Sequence, residues 1–211
     1  MARNILVTGA TGTVGSDVLR GLIGRADIQV HAAVRDKNKA AALAGPGVEL
    51  TLFDYNRPET LAPACGGVDS VFMVSPFTPD GVAQSLALLD AARAAGVKHV
   101  VKLSVIRSIR DTTPGRWHAA IDDALKKSGM AWTLLLAGSF MQNLVESAAP
   151  QPDGGLYRPA GNAKCAFIDT RDIAAVAVQA LTERGHKGRE YTLTGPDGLS
   201  YAEAAVLHNP L

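Results

Sequence analysis

Thr8-Gly9-Ala10-Thr11-Gly12-Thr13-Val14-Gly15 is the stretch that decides the fold of this chain. Its three glycines are spaced Gly-x-x-Gly-x-x-Gly. A short apolar run at residues 4–8 precedes it, and residues 14–23 follow with apolar side chains at helical spacing. This order predicts a strand, a glycine turn and a helix.

The same alternation of strand and helix continues through the first two thirds of the chain. The apolar runs are rich in β-branched residues, which is typical of parallel strands buried on both faces. Right-handed crossovers between such strands predict an α/β fold, a Rossmann-type doubly wound parallel sheet over residues 1–137. The predicted strands are 28–34, 48–53, 70–75, 99–104 and 132–136, and the predicted helices are 37–43, 58–64, 81–95 and 116–128.

Residues 138–211 have a different texture and predict a small, apparently shortened C-terminal section that packs on this core and faces the substrate. A loop-rich stretch with several prolines and glycines spans residues 150–161. It leads to an apolar helix at 170–183, which Asp169 precedes, and to a strand at 190–194. Ser200 and Glu203 have the spacing of a capping box and announce a last helix.

Composition excludes several classes of function. The 211 residues are 47% apolar, and 21 basic against 20 acidic residues give a net charge of +1. Direct binding of nucleic acid is not expected, because that requires a basic surface. No apolar run approaches the ~18 residues of a membrane span. Cys65 and Cys165 match no metal-ligand spacing and are expected to be reduced thiols, so we expect a cytoplasmic protein with no metal and no membrane contact.

The glycine turn suits the pyrophosphate of a dinucleotide, although a purely structural tight turn is the alternative. A pyrophosphate needs backbone N–H groups at a helix N-terminus and no side chain where it approaches. Gly9 would supply the turn, Gly12 the close approach and Gly15 the packing of helix on strand. We therefore expect cofactor contacts from Gly9, Thr11, Gly12, Thr13, Val14 and Gly15.

Several motifs in the same order resemble the NmrA-like group of atypical short-chain dehydrogenase/reductases. Besides residues 5–15, they are Val-Arg-Asp (34–36), Phe-Asp (53–54), Val-Lys-Leu-Ser (101–104), Phe-Met-Gln-Asn (140–143), Phe-Ile-Asp-Thr-Arg-Asp-Ile-Ala (167–174) and Tyr-Thr-Leu-Thr-Gly-Pro (191–196). The resemblance covers nearly the whole chain and implies an oxidoreductase similar to NAD(P)H quinone reductases.

The residues after the second strand favour NADP(H), with NAD(H) as the alternative. Arg35 can bind a 2′-phosphate through two parallel hydrogen bonds, although the neighbouring Asp36 would weaken that contact, and a solvated Arg35–Asp36 pair is the structural alternative. The resemblance places Asp54 near the adenine, where a turn or a helix cap would explain it equally well. Ser75 and Pro76 fall at the carboxyl edge of the sheet where such ligands bind, although Pro76 can simply end its strand.

The usual catalytic pair of the wider superfamily, Tyr-x-x-x-Lys, is absent. The residues four positions after the four tyrosines are Glu59, Gly161, Gly195 and Ala205. The resemblance instead places His118 near the missing phenol, as a proton donor or as a histidine that only orients a loop.

Three further residues are candidates for the substrate end of the site. Ser104 ends a predicted strand and can bind a substrate oxygen or merely cap that strand. Phe140 and Asn143 border the nicotinamide and substrate pocket by resemblance, although Phe140 fits the core as well.

Two functions remain open on this sequence. The first is an NADPH-dependent oxidoreductase that transfers hydride to a small electrophile, most plausibly a quinone, because solvent can protonate the resulting hydroquinone anion without a strong positioned acid. The second is a non-catalytic NADP(H)-binding redox sensor that regulates a protein partner. A homodimer, in which a second subunit covers the pocket, is open under either reading.

Overall fold

The computed structural model describes residues 2–145 and 160–208. Within them, nine strands and seven helices are numbered in chain order. The strands are β1 (Arg3–Val7), β2 (Ile28–Val34), β3 (Val48–Leu52), β4 (Ser70–Met73), β5 (His99–Val105), β6 (Ala131–Ala137), β7 (Lys164–Cys165), β8 (Arg189–Leu193) and β9 (Leu199–Ser200). The helices are α1 (Thr13–Leu22), α2 (Leu61–Cys65), α3 (Gly81–Ala94), α4 (Thr113–Lys127), α5 (Gln142–Val145), α6 (Thr170–Thr182) and α7 (Tyr201–His208).

Seven of the strands form one sheet in the order β3-β2-β1-β4-β5-β6-β8, and all six pairings are parallel. Helices α1 and α6 cover one face, where Val18 and Ile173 share a buried cluster with Ile5. Helices α2, α3 and α4 cover the other face, where Leu88 and Leu125 are buried. The predicted doubly wound α/β fold is confirmed.

The strand order reverses at β1, which has β2 on one side and β4 on the other. In such sheets ligands bind outside the carboxyl ends of the strands at this point. Thr8 ties the two carboxyl ends together there: its backbone N–H and its hydroxyl both donate to the Phe72 carbonyl, at 3.0 and 3.1 Å. Its Oγ also accepts the Val74 N–H at 2.8 Å. The crevice beside the glycine turn therefore has a fixed frame.

The predicted helix at 37–43 is wrong. Residues 37–40 form turns, and only Ala41–Leu43 make a single 3-10 turn. The Asp36 carboxylate accepts the backbone N–H groups of Asn38 and Lys39, which commits the segment to a turn. The seven predicted residues are also too few to repay helix nucleation without a packed face.

The last part of the chain contributes to the same sheet, because β8 pairs with β6 at its edge. Asp169 caps α6 as expected and accepts the Arg171 N–H at 2.8 Å. The capping box is also confirmed, since Ser200 Oγ accepts the Glu203 N–H and a Glu203 oxygen accepts the Ser200 N–H. The division of the chain at residue 137 stays a prediction, and the loop-rich stretch up to residue 159 lies outside the described residues.

The described residues contain neither a membrane-spanning helix nor a group of metal ligands. Within ranges 2–145 and 160–208, no helix has the length and apolar character needed to cross a membrane. The same ranges contain no group of three or more histidines, cysteines or acids that could hold a metal ion.

Candidate functional site

The glycine turn joins β1 directly to the N-terminus of α1. Gly9 has a φ of 65°, in the left-handed region that glycine adopts without strain. The Gly12 N–H donates to the Gly9 carbonyl at 2.8 Å and closes the turn. Gly12 is also the N-cap of α1 and offers no side-chain acceptor to the first helical N–H groups. These groups suit a phosphate.

A cleft of about 380 Å³ runs from the glycine turn along the carboxyl ends of β2, β3 and β4. We call it the first cleft. It brings together most of the predicted cofactor residues: Gly9, Thr11, Gly12, Arg35, Asp54, Ser75 and Pro76. Thr13 lines a neighbouring polar groove, which also includes Thr11 and Gly12. Val14 is buried in the core, so any part it has in binding is limited to its backbone.

Arg35 is placed to bind a phosphate at the far end of the first cleft. Its side chain is exposed and forms no ion pair or hydrogen bond with the described residues. The Asp36 carboxylate, which we expected to weaken a phosphate contact, is held by its own turn through the Asn38 and Lys39 N–H groups at 2.9 and 3.3 Å. The geometry therefore favours a 2′-phosphate at Arg35.

Asp54 fits both of its interpretations. Its carboxylate accepts the Asn56 N–H at 2.9 Å, which makes a local turn, and its own N–H donates to Thr60 Oγ at 3.0 Å. It also lines the first cleft. The neighbouring Tyr55 hydroxyl donates to the Val74 carbonyl at 2.9 Å. Burial raises the pKa of Tyr55, so this phenol stays neutral and acts as a strut between β3 and β4.

A second cleft of about 340 Å³ adjoins the first, and Val74 and Ser75 line both. It brings together the predicted catalytic and substrate residues, Ser104, His118, Phe140 and Asn143. Ser75 Oγ is buried and has no hydrogen-bond partner in the described part of the chain. An unpaired buried hydroxyl at the junction fits a polar ligand that crosses from one cleft to the other, as an extended dinucleotide would.

Beside the second cleft lies a buried polar network around Asp122. One carboxylate oxygen, Oδ1, accepts from Lys102 Nζ at 2.9 Å. The other, Oδ2, accepts from the Ser104 hydroxyl at 2.7 Å and from Arg110 Nη2 at 2.9 Å. The Lys102 and Asp122 side chains are both 0% exposed. Lys102 Nζ also lies 3.1 Å from His118 Nδ1, which links the network to the cleft.

The network sets two basic side chains, Lys102 and Arg110, around one carboxylate, Asp122. Desolvation and the nearby Lys102 lower the pKa of His118 to about 4. The His118 imidazole is therefore expected to be neutral at neutral pH, and its role as a proton donor, which the resemblance implied, stays a prediction. A neutral ring can still donate a hydrogen bond to a developing oxyanion.

Sequence reasoning missed Lys102, Arg110 and Asp122. A signal existed for two of them. Lys102 is a lone charge in the apolar strand 99–105, and a charge inside a buried strand demands a partner. Asp122 lies four residues after His118 on the same helix face, so both side chains point to the same neighbour. Nothing in the sequence indicated Arg110, which reaches Asp122 from the turn before α4.

The chain is similar to known proteins over nearly its whole length. A model of the NmrA-like family matches residues 1–208. The NAD(P)H azoreductase of Xenophilus azovorans is 48% identical over 205 residues, which cover 96% of this chain and 71% of that protein.

Two solved structures share the fold over most of their length. Triphenylmethane reductase of Citrobacter sp., complexed with NADP(H), has a TM-score of 0.85 at 28% identity and covers 97% of this chain and 74% of its own. NADPH-dependent quinone oxidoreductase of Escherichia coli, complexed with NADPH, has a TM-score of 0.82 at 32% identity, with 93% and 70% covered. The chain therefore belongs to the NmrA-like family and is an NAD(P)H-dependent oxidoreductase.

Proposed function

We propose that this protein uses NADPH to reduce a quinone or a similarly conjugated planar electrophile. The observation that carries the proposal is the junction of the two clefts at Val74 and Ser75. One cleft ends at the unpaired Arg35, and the other contains His118 beside a positively charged network. When bound, NADPH supplies the hydride.

The first cleft would hold the dinucleotide in one orientation. Arg35 would bind the 2′-phosphate, and the N–H groups at the start of α1 would bind the pyrophosphate. Ser75 Oγ, the unpaired hydroxyl at the junction, would gain a hydrogen bond to the part of the ligand that crosses into the second cleft. These contacts would direct the reactive end toward His118.

The second cleft would stabilise the charge that hydride transfer creates. A quinone that accepts hydride becomes a hydroquinone anion, with the negative charge on oxygen. His118 can donate a hydrogen bond to that oxygen, and the excess positive charge of Lys102 and Arg110 over Asp122 favours it electrostatically. Solvent can then protonate the anion, so no strong acid is needed.

The walls of the second cleft suit a flat ring. They are mostly apolar, and their exposed rim has an aromatic pair, Phe77 and Trp117, packed edge to face at 5.9 Å between ring centroids. The apolar lining includes Val74, Phe77, Leu103, Ile106, Ile109 and Phe140. The names of two relatives, an azoreductase and a quinone oxidoreductase, support acceptors of this conjugated kind.

A progress curve of NADPH oxidation with a simple benzoquinone tests the proposal. We expect many turnovers per enzyme, with Arg35→Ala raising the KM for NADPH and leaving kcat nearly unchanged. Arg93→Ala is the matched control, because Arg93 is an exposed arginine on α3 that pairs with Asp90 and lines neither cleft. A rate equal to the uncatalysed background, from protein that still shifts NADPH fluorescence, would contradict the proposal and favour a redox sensor.

A further inference from the structure

We propose that Lys102 is a positioning residue: it holds His118 in the tautomer whose Nε2 carries the proton, so that the ring presents an N–H donor to the second cleft. The proposal deepens the proposed function, on which it rests for the use of that donor. Which nitrogen of the His118 ring carries the proton is a property of the protein alone, and it can be measured without cofactor or substrate.

The hydrogen-bond partners of Lys102 determine which nitrogen of the His118 ring carries the proton. An ammonium group has three N–H donors and no acceptor. Lys102 Nζ has two oxygen acceptors within reach, Asp122 Oδ1 at 2.9 Å and the Leu103 carbonyl at 3.4 Å, and it lies 3.1 Å from His118 Nδ1. Two of the three ammonium protons have oxygen acceptors, and the third has His118 Nδ1 as its acceptor when that nitrogen is unprotonated.

The ammonium form of Lys102 is itself supported by the carboxylate beside it. Burial lowers the pKa of Lys102, while the contact with Asp122 opposes that shift. A neutral lysine would leave Asp122 with Arg110 as its one charged partner among the described residues. Removing one partner of a buried ion pair is strongly unfavourable, so the paired, charged form is retained.

The alternative tautomer would place two donors against each other. If Nδ1 carried the proton, its N–H would point at the Lys102 ammonium in a buried environment, and one of those donors would lose its acceptor. A doubly protonated ring would add a second positive charge beside Lys102. The three charged groups near the ring, namely Lys102 on β5, Asp122 on α4 and Arg110 before α4, therefore leave the neutral ring with its proton on Nε2.

This arrangement gives Lys102 a role through His118 and without contact to substrate. The Lys102 charge draws electron density toward Nδ1, which makes the Nε2 proton a better hydrogen-bond donor. His118 lines the second cleft, and Nε2 has no partner among the described residues. The proton would meet an oxygen that becomes negative during reduction.

Nitrogen-15 spectra of the histidine rings test the tautomer directly in the full chain. The protein has five histidines, and the His118 signals are assigned by their loss in His118→Gln. At neutral pH we expect the neutral Nε2–H form in the wild-type protein. In Lys102→Met we expect a mixture of the two tautomers and a raised pKa for His118, because the Asp122 charge then acts on the ring without opposition from Lys102.

Two further variants keep the test decisive. Lys102→Met with Asp122→Asn removes both charges, avoids an unpaired carboxylate and is expected to mix the tautomers as well. Lys98→Met is the matched control: this lysine directly precedes β5 and pairs with Asp69 at the surface, so its loss should leave the His118 signals unchanged. An Nδ1–H or charged ring in the wild type, or an unchanged tautomer in both Lys102 variants, would overturn the proposal.

Kinetics separate this proposal from the proposed function. With quinone, Lys102→Met should lower kcat about tenfold or more and leave the KM for NADPH unchanged. Loss of a whole donor at an oxyanion site lowers kcat by roughly 100- to 1000-fold. If the wild-type protein reduces no quinone, the proposed function fails while the ring spectra still decide the role of Lys102.

Discussion

Gly15 packs directly against the carbonyl group of Gly9: a Cβ on Gly15 would lie 2.1 Å from the Gly9 oxygen. The carbonyl also accepts the Gly12 N–H, which closes the turn. The two glycines therefore press α1 onto the end of β1, and this contact fixes where the helix N-terminus points.

Gly15→Ala should destabilise the protein and abolish cofactor binding. The atoms nearest to the added methyl group belong to the backbone, so no flexible side chain can move aside to make room for it. We therefore expect a loss of about 1–3 kcal/mol or more in the free energy of unfolding. Thermal unfolding and NADPH fluorescence would measure both effects. Gly45→Ala is the control, since nothing lies within 4 Å of a Cβ there. Equal behaviour of the two variants would contradict the packing argument.

Arg35→Ala should lower the preference for NADPH over NADH. Hydrogen bonds to a charged group contribute about 1.5–3 kcal/mol, which corresponds to roughly a 10- to 100-fold rise in the KM for NADPH. The KM for NADH should hardly change, because NADH has no 2′-phosphate. Steady-state kinetics with both cofactors measure the ratio. An equal rise for both would mean that Arg35 acts on the fold or on another part of the dinucleotide.

Phe77→Ala should weaken the binding of large aromatic acceptors. Phe77 is 72% exposed at the rim of the second cleft and packs against Trp117. An aromatic contact contributes about 0.5–1.5 kcal/mol, so the KM for a naphthoquinone should rise about 2- to 10-fold while that for benzoquinone changes less. Val206→Ala, at an exposed apolar residue of α7, is the control. No difference between the two quinones would remove Phe77 from the site.

Acidification should destabilise the protein partly through His99. This buried histidine lies 2.9 Å from Thr133 Oγ, and desolvation lowers its pKa to about 4. In the unfolded chain His99 is protonated near pH 6.5, whereas in the folded protein it stays neutral down to about pH 4. The contribution of neutral His99 to the free energy of unfolding is therefore complete above pH 6.5 and is lost as the pH falls toward about 4. We expect on the order of 3 kcal/mol for the full change in the free energy of unfolding.

Urea titrations at several pH values would measure this dependence. His99→Gln should remove its share of the acid sensitivity, and His118→Gln should remove a separate share, because the pKa of His118 is lowered in the same direction. If the free energy of unfolding of His99→Gln falls between pH 6.5 and pH 4 as steeply as that of the wild type, His99 is not a source of the acid sensitivity.

Most of the fold could be predicted from the sequence, because the patterns that indicate strands and helix starts are local. Apolar runs bounded by turn residues located the strands, and Asp169 and Ser200 marked helix starts correctly. The helix at 37–43 failed for a local reason too, since Asp36 captured the backbone N–H groups that a helix would have needed.

The site was harder to predict, because its chemistry depends on contacts between distant residues. The family resemblance implied His118, and the end of a predicted strand indicated Ser104, but the carboxylate that organises the network is 18 residues from Ser104 and 12 from Arg110. The neutral state of His118 follows from burial beside Lys102, which only the packing of α4 on β5 reveals.

The buried ion pair of Lys102 and Asp122 has a consequence for how this protein tolerates stabilisation. Replacement of a buried pair by apolar residues of similar volume is often neutral or stabilising by about 1–4 kcal/mol. A version with apolar residues at positions 102, 104 and 122, which leaves no Ser104 hydroxyl without its acceptor, is thus expected to resist heat as well as or better than the wild type while losing activity. Selection for thermal stability alone would therefore favour apolar residues in place of Lys102 and Asp122. Stability and activity thus require different residues at these two positions.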